Sequence, residues 1–261
     1  MKRFLSILLA VVFAEVIFAQ DNKESESEVS YEKTLAAADS AYINGDYSGA
    51  ANLYEKIIRE NGVSPSLYMN LGNSYFKKNE IAKSILNYER AYKLDPSDED
   101  IRFNLELART KTVDEETVKN ELFIFVWIRK FVSLMNVNQW GYAIIFFVFL
   151  LVIALATYFF TKKTVVLKAA LIVSTISAIL TIASFFAASY QKKLYMSHNY
   201  AIVMAPSATV KSTPNETGTD LFIIHEGRKV EIIDSTMKNW VEIKLDDGNE
   251  GWIQNDIIDI I

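Results

Sequence analysis

Two long uncharged apolar runs, Gly141–Phe160 and Ala169–Tyr190, constrain this chain more than any other feature. The first, GYAIIFFVFLLVIALATYFF, has twenty residues, and the second, AALIVSTISAILTIASFFAASY, has twenty-two. At about 1.5 Å of rise per residue, either can cross a hydrocarbon core of roughly 30 Å as a helix. In lipid the backbone must satisfy its own hydrogen bonds, so a helix is the only reasonable form for each. Neither run has the polar face that a soluble helix keeps. The lysine-bearing link TKKTVVLK between them is too short for anything but a tight turn. We therefore read transmembrane helices over 139–161 and 169–190, a cytoplasmic loop at 162–168 and a linker at 191–198. A buried soluble hairpin is the alternative. A hairpin puts both flanks on the same side of the membrane.

The flanks account for most of the 261 residues, enough for two small soluble domains. Residues 20–119 carry 13 basic and 19 acidic side chains, and residues 194–261 carry 5 and 11, whereas the membrane section 120–193 has 7 and 1. Two acidic flanks argue against nucleic acid as a partner. The chain has no cysteine, which excludes disulfides, thiolate metal sites, a thiol nucleophile and lipoprotein-type acylation.

The beginning, MKRFLSILLAVVFAEVIFAQ, has a basic start at Lys2 and Arg3, an apolar core Phe4–Ala14 and small-residue cleavage chemistry near Ala19. It reads as a signal peptide over 1–19, with an uncleaved anchor as the rival. The acidic stretch at 20–30 reads as a disordered spacer. Export of residues 20–139 leaves Lys162, Lys163 and Lys168 in the cytoplasm, as the positive-inside tendency prefers. Arg129, Lys130, Lys192 and Lys193 flank the outer side and weaken that preference. The expected localisation is the bacterial inner membrane, two-pass, with both soluble domains in the periplasm.

Residues 31–118 show helical periodicity and match themselves at a period of 34. Gly45-Asp46-Tyr47, Ala50, Tyr54 and Ile57 recur as Asn79-Glu80-Ile81, Ser84, Tyr88 and Ala91. Small residues at Ala38, Ala50, Gly72, Ser84 and Ala91 let antiparallel helices approach closely, and Pro96 ends a helix. The second copy, with Tyr68, Leu71, Gly72, Tyr75, Tyr88, Ala91 and Pro96, resembles the tetratricopeptide repeat (TPR). The first copy is degenerate at Thr34 and Ala41. DIRFNLELART at 100–110 lacks a partner and reads as a capping helix. The resemblance implies a protein-docking module. It places Asp39, Ile43, Met69, Asn73, Phe76, Lys77 and Asn104 on the concave groove. Asn73 and Asn104 occupy positions that some such repeats use to grip a carboxylate, but Met69 replaces one lysine of that clamp and only Lys77 offers a charge, which favours a structural role for Asn73.

The segment 119–138 contains LFIFVWIRKFVSLM, apolar on nearly every face except at Arg129-Lys130. Two readings stand: an interfacial helix with Trp127 at headgroup level, or a partner for the last helix of the repeat. In the second apolar run, Ala170, Ser174, Ser177, Thr181, Ser184 and Ala188 recur at alternating steps of four and three. They form one helix face suited to close packing, either on the first run or on a transmembrane partner. No span holds a charge well inside, so a proton or ion path has nothing to run on.

From Asn199 the pattern changes to short β-rich runs: YAIVMA, ATVKST, LFIIHEG, KVEIID, WVEIKL, GWIQ and DIIDII, with a hairpin signal at Asp246–Asn249. Val210-Lys211-Ser212, Pro214, His225-Glu226-Gly227, Asn239-Trp240-Val241, Gly248 and Gly251-Trp252-Ile253 keep the order of a bacterial SH3-like domain, which 199–261 resembles. Thr213 departs from the glycine often found there. Such domains bind peptides or cell-wall glycan-peptide, or support a neighbour. Trp240 and Trp252 are the surface candidates, each equally suited to the barrel core, and His225 reads as structural.

The fold class is therefore multidomain: an all-α helical repeat, a transmembrane hairpin and a small all-β SH3-like barrel. Two histidines, no cysteine, no phosphate loop and no HExxH offer no catalytic constellation, so no catalytic residue, cofactor or metal is expected. The whole order, with the strings NLELARTKTVDE and APSATVKSTPNETGTDLFIIHEGRKV, resembles the BatE family of the Bacteroides aerotolerance (bat) operon. That resemblance implies an envelope scaffold linked to stress response. Its implied partners are von Willebrand A-type membrane Bat proteins and a MoxR-type ATPase on the cytoplasmic side. A different class of function, a sensor that binds peptidoglycan through the SH3-like domain, is the alternative.

Overall fold

The computed structural model describes residues 29–114, 123–196 and 199–261. The expected signal peptide, the spacer up to residue 28, the first residues of the neck and His198 lie outside the described residues. The chain divides into two compact units, residues 1–63 and 64–261.

In the first unit, helix α1 covers residues 29–43 and α2 spans Tyr47–Asn61. The turn between them needs a left-handed residue, supplied by Gly45 at φ +81°. Asp46 then caps α2 by accepting from the Gly49 amide over 2.8 Å. Ala38, Ala50, Ala51, Tyr54 and Ile57 are buried, and Tyr54 reaches back to donate to Asp39.

The second unit repeats that design. Ser64 caps α3 (Pro65–Lys77) with proline in its first turn, and α4 (Ile81–Leu94) comes next. At the equivalent turn the left-handed residue is Asn79, at φ 61°, which tolerates that region better than most side chains. Gly72 lies so close to the Tyr88 ring that an added Cβ would sit 2.7 Å from it. The Ser84 hydroxyl donates to the Gly72 carbonyl over 2.9 Å, satisfying both buried groups. Asp98 caps α5 (Glu99–Arg109), which buries Ile101, Leu105 and Ala108.

Helix α6 (Phe123–Val132) leads through a short turn to α7 (Val137–Phe160), opened by a reciprocal cap between Asn136 and Gln139. Helix α8 spans Thr164–Met196 and packs antiparallel to α7. It is longer than the apolar run at both ends. The stretch read as a loop at 162–168 is helical from Thr164, and Leu167 already donates to the Lys163 carbonyl. Most of the 191–198 linker is helical too. An apolar start at Val165, Val166 and Leu167 allows the backbone to keep pairing with itself, so the turn shrinks to 161–163. Ala170, Ser174, Ser177 and Ser184 are buried along the face of α8 singled out by their spacing, while Phe149, Phe159, Ile172, Ile176 and Phe186 are exposed.

The remainder forms seven strands: β1 (Tyr200–Val203), β2 (Ser207–Lys211), β3 (Asp220–His225), β4 (Lys229–Asp234), β5 (Trp240–Lys244), β6 (Glu250–Gln254) and β7 (Ile258–Ile260). All neighbours pair antiparallel in the order β3-β2-β6-β5-β4-β1-β7. Ile224 of one edge strand and Ile258 of the other join Val203, Val210, Val230, Val241, Ile243 and Ile253 in a single core. A sheet whose two edges feed one core must curl on itself, as a small barrel does. Residues 255–257 form a 3-10 turn, so the last β-rich run is half helix and half strand.

This barrel is not an independent bead. Ile202 of β1, fully buried, belongs to the core built by Ile81, Ile85, Leu86, Tyr88, Leu105 and Ala108 of the helices, and Met204 and Ile261 pack against it.

Candidate functional site

The seven groove candidates fall in both units. In the first, Ile43 is 82% exposed and Asp39 accepts from the Tyr54 hydroxyl over 2.5 Å. In the second, Asn73 Oδ1 accepts from the Tyr88 hydroxyl over 2.6 Å and from Asn104 Nδ2 over 3.2 Å. Asp39 and Asn73, with Tyr54 and Tyr88, are thus one pair repeated, and they tie the two helices of a repeat together. Met69 and Phe76 pack half-buried against the helical core. Lys77 is exposed at the end of α3. Of the five candidates in the second unit, Lys77 alone is exposed; Asn73 and Asn104 bond each other.

Trp240 and Trp252 lie on the outward face of the barrel. Val241, Ile243 and Ile253 point into the core, so their neighbours in sequence point away from it. Trp252 pairs with Glu242, and Trp240 pairs with Gln254, which places the two indoles diagonally on one face. Both are half-buried. Lys211 pairs with Trp252 from β2 and is held to Asp220 over 2.7 Å; Gln254 donates to Glu216 over 2.6 Å.

A site missed at the level of sequence joins α4 to the barrel. Glu89 is 3% exposed and accepts from Arg109 of α5 over 2.5 Å and from Lys229 of β4 over 2.7 Å. Burial alone would raise its pKa, but the charges and hydrogen bonds of Lys229 and Arg109 outweigh it and hold the carboxyl below its ordinary value. On the same helix, Arg90 donates to the Ile260 carbonyl over 2.6 Å and Lys93, one turn beyond Glu89, to the Ile261 carbonyl over 3.0 Å. Burial, then the Lys229 and Arg90 charges, pull Lys93 below the usual lysine range. Beyond α5, the Asp114 carboxylate accepts from the His225 amide over 2.7 Å and pairs with His225 Nδ1 over 2.8 Å. Gly227, at φ +82°, sits against Thr112 and Ile85.

His225 is therefore structural in a particular sense: it anchors the barrel to the chain after α5. A signal was present in the sequence. At about 100° per residue Glu89 falls inside the apolar arc of α4, between Ile85 and Leu86. A charge at the centre of an apolar face calls for a buried partner.

Comparison with known families agrees with this architecture. The model of the TPR repeat matches residues 72–109, and that of the bacterial SH3 domain matches residues 206–259. No curated protein matches the chain. The fold is thus an all-α TPR repeat, two apolar helices and an antiparallel all-β SH3-like domain. Both matched families are typically non-catalytic interaction modules, which suggests a protein-interaction or cell-wall-binding role.

Proposed function

We propose that the protein is a membrane-tethered scaffold of an envelope complex, with α7 and α8 as the tether and both interaction modules on the outer, periplasmic side. The observation that carries the reading is the Glu89–Arg109–Lys229 cluster together with the core shared through Ile202. The segments before and after the hairpin pack on each other, so they belong in one compartment, as an even number of spans requires. The apolar outer faces of α7 and α8 support lipid as their surroundings. The BatE-like order extends the reading to a stress-related Bat system, with von Willebrand A-type membrane proteins as partners and a MoxR-type ATPase across the membrane.

Affinity capture of the full chain after crosslinking in native membranes tests the scaffold, with Lys77→Glu as the probe because Lys77 is exposed. Specific co-purifying membrane proteins, diminished by Lys77→Glu, are expected; recovery of the chain alone counts against the proposal. A reporter active only in the periplasm, fused after Ile261, should be active. An inactive fusion overturns the side assignment.

One observation favours a second reading. The diagonal Trp240/Trp252 pair on an outward sheet face is suited to stacking on a glycan or peptide. Detergent-solubilised full chain should sediment with insoluble peptidoglycan if this sensor reading holds, and Trp240→Ala with Trp252→Ala should abolish it. The full chain is the sample because the barrel shares its core with α4.

A further inference from the structure

We propose that α6 is an in-plane membrane helix that buries its Phe123, Trp127 and Phe131 stripe among lipid acyl chains, with anionic headgroups against Arg129 and Lys130. The inference rests on the reading of α7 and α8 as membrane spans.

The first observation is the distribution of side chains around the helix. At about 100° per residue, Phe123, Trp127, Phe131, Ile124 and Ile128 share one arc of roughly 140°. Their exposures are 75, 71, 45, 49 and 46%, so these large side chains are left uncovered, as are Phe125 and the two cations. Phe125, 57% exposed, extends the apolar arc to about 200°, and Arg129 and Lys130 take the remaining arc of roughly 100°, with Lys130 at its edge beside Phe123. The side chain that α6 does bury is the small Val132. A water-soluble helix places its large apolar side chains inward and its cations outward to solvent. Here the large side chains face the surroundings on one side and the cations on the other, which is the pattern of a helix lying between acyl chains and headgroups. Trp127, at the middle of the stripe, is the side chain favoured at that boundary.

The second observation fixes the depth. Trp140 Nε1 donates to the Val132 carbonyl over 3.0 Å, and Gln191 Nε2 donates to the Val132 and Met135 carbonyls over 2.7 and 2.6 Å. Val132, Trp140 and Ala187 form a small core, and the Phe131 ring lies 5.3 Å from that of Trp140. The carbonyls left open where α6 ends are thus taken by the foot of α7 and the distal part of α8. Both lie at the end of the hairpin away from the 161–163 turn. The latch holds α6 where the two spans leave the hydrocarbon, so its apolar arc meets the same lipid that surrounds them.

The chain has no cysteine, so single introduced thiols can carry a nitroxide. The full-length protein is placed in bilayers of phosphatidylcholine with phosphatidylglycerol, labelled in turn at Trp127→Cys, Phe149→Cys and Ile43→Cys. Phe149 is 66% exposed on α7 and reports the span; Ile43 is 82% exposed and serves as the aqueous reference. The label at 127 is expected to collide with dissolved oxygen and, several-fold less than the label at 43, with a water-soluble nickel chelate. Its depth should be shallower than that at 149. If 149 is protected but 127 meets nickel as freely as 43, the helix lies in water and the inference fails while the hairpin stands. Shielding of 127 from both reagents means that protein covers the stripe, and also overturns it. Nickel access at 149 defeats the membrane reading first and the inference with it. Phosphatidylglycerol should draw the 127 label deeper than phosphatidylcholine alone, and Arg129→Gln with Lys130→Gln should remove that difference. An unchanged lipid response overturns the headgroup contact.

Discussion

The Tyr88 hydroxyl donates to Asn73 Oδ1 over 2.6 Å, and thirty-four residues earlier Tyr54 makes the same bond to Asp39 over 2.5 Å. The pair spans fifteen residues each time and closes the first helix of a repeat onto the second. Asn73, which by sequence is a ligand-gripping candidate, thus has two intramolecular donors, Tyr88 and Asn104.

Asn73→Leu removes the bonds that Tyr88 and Asn104 donate to Asn73 Oδ1 and should destabilise the fold by about 1–3 kcal/mol. Asn73→Asp should be near neutral, because a carboxylate oxygen can accept both bonds and Asp39 already accepts the tyrosine bond in the first copy. Thermal unfolding of the full chain in detergent checks both. Equal losses in the two variants would show that the shared acceptor geometry is not what matters.

Glu89 should couple the barrel to the helices in a pH-dependent way. A carboxyl whose pKa is lower folded than unfolded contributes stability that is complete above its ordinary value of 4.5 and is lost as pH falls through the lowered value. Glu89→Gln should cost about 2–4 kcal/mol at neutral pH, because Lys229 loses its carboxylate and Arg109 keeps only Glu106 of the two it pairs with here. Both cations are partly exposed, which keeps the cost from the upper end. Wild type and variant should converge in acid below the lowered value. Melting curves at neutral and acid pH decide this, and a gap independent of pH would mean that the charge of Glu89 plays no part.

At Gly227 the geometry forbids a side chain twice over. Its φ is +82°, and an added Cβ would lie 2.6 Å from Thr112 Cγ2 and 3.0 Å from Ile85 Cδ1. Gly227→Ala should cost about 2–4 kcal/mol, from left-handed strain and overpacking together. Thr112→Ser in the same chain removes one clashing methyl and should recover part of that loss, leaving the backbone strain. A double-mutant cycle measures the coupling; strict additivity would mean that the two residues do not meet.

Gln191→Leu should loosen α6 without unfolding the hairpin. The Met135 carbonyl loses its Gln191 donor and the Val132 carbonyl keeps Trp140, so the cost should be about 1 kcal/mol. Amide hydrogen exchange across 123–135 should speed up while the middle of α7 keeps its protection. Unchanged exchange in α6 would place the latch at Trp140 alone.

Much of this architecture is legible locally. The length of two uncharged runs specifies two long helices, the 34-residue self-match specifies the repeated pair, and alternation in seven short runs specifies seven strands. Each of these rests on side-chain periodicity within one element, which the order of residues carries by itself. Even the stripe Ala170–Ala188 can be read this way, since steps of three and four define a face before anything packs on it.

The tertiary structure alone decides what meets what. Periodicity puts Glu89 inside an apolar arc, but nothing local names its partners: Arg109, twenty residues on, and Lys229, one hundred and forty residues on, converge on it only in the fold. Ile202 looks like a barrel residue until it is found in the helical core, and Asp114 acquires a role only beside His225. The physical reason is that burial and charge pairing depend on distance in space. Periodicity says which face of an element is apolar, and nothing in it names the surface that will cover that face. For the two apolar runs the sequence determines length and helicity; the latch from Trp140 and Gln191 to the end of α6 exists only once the two helices stand side by side.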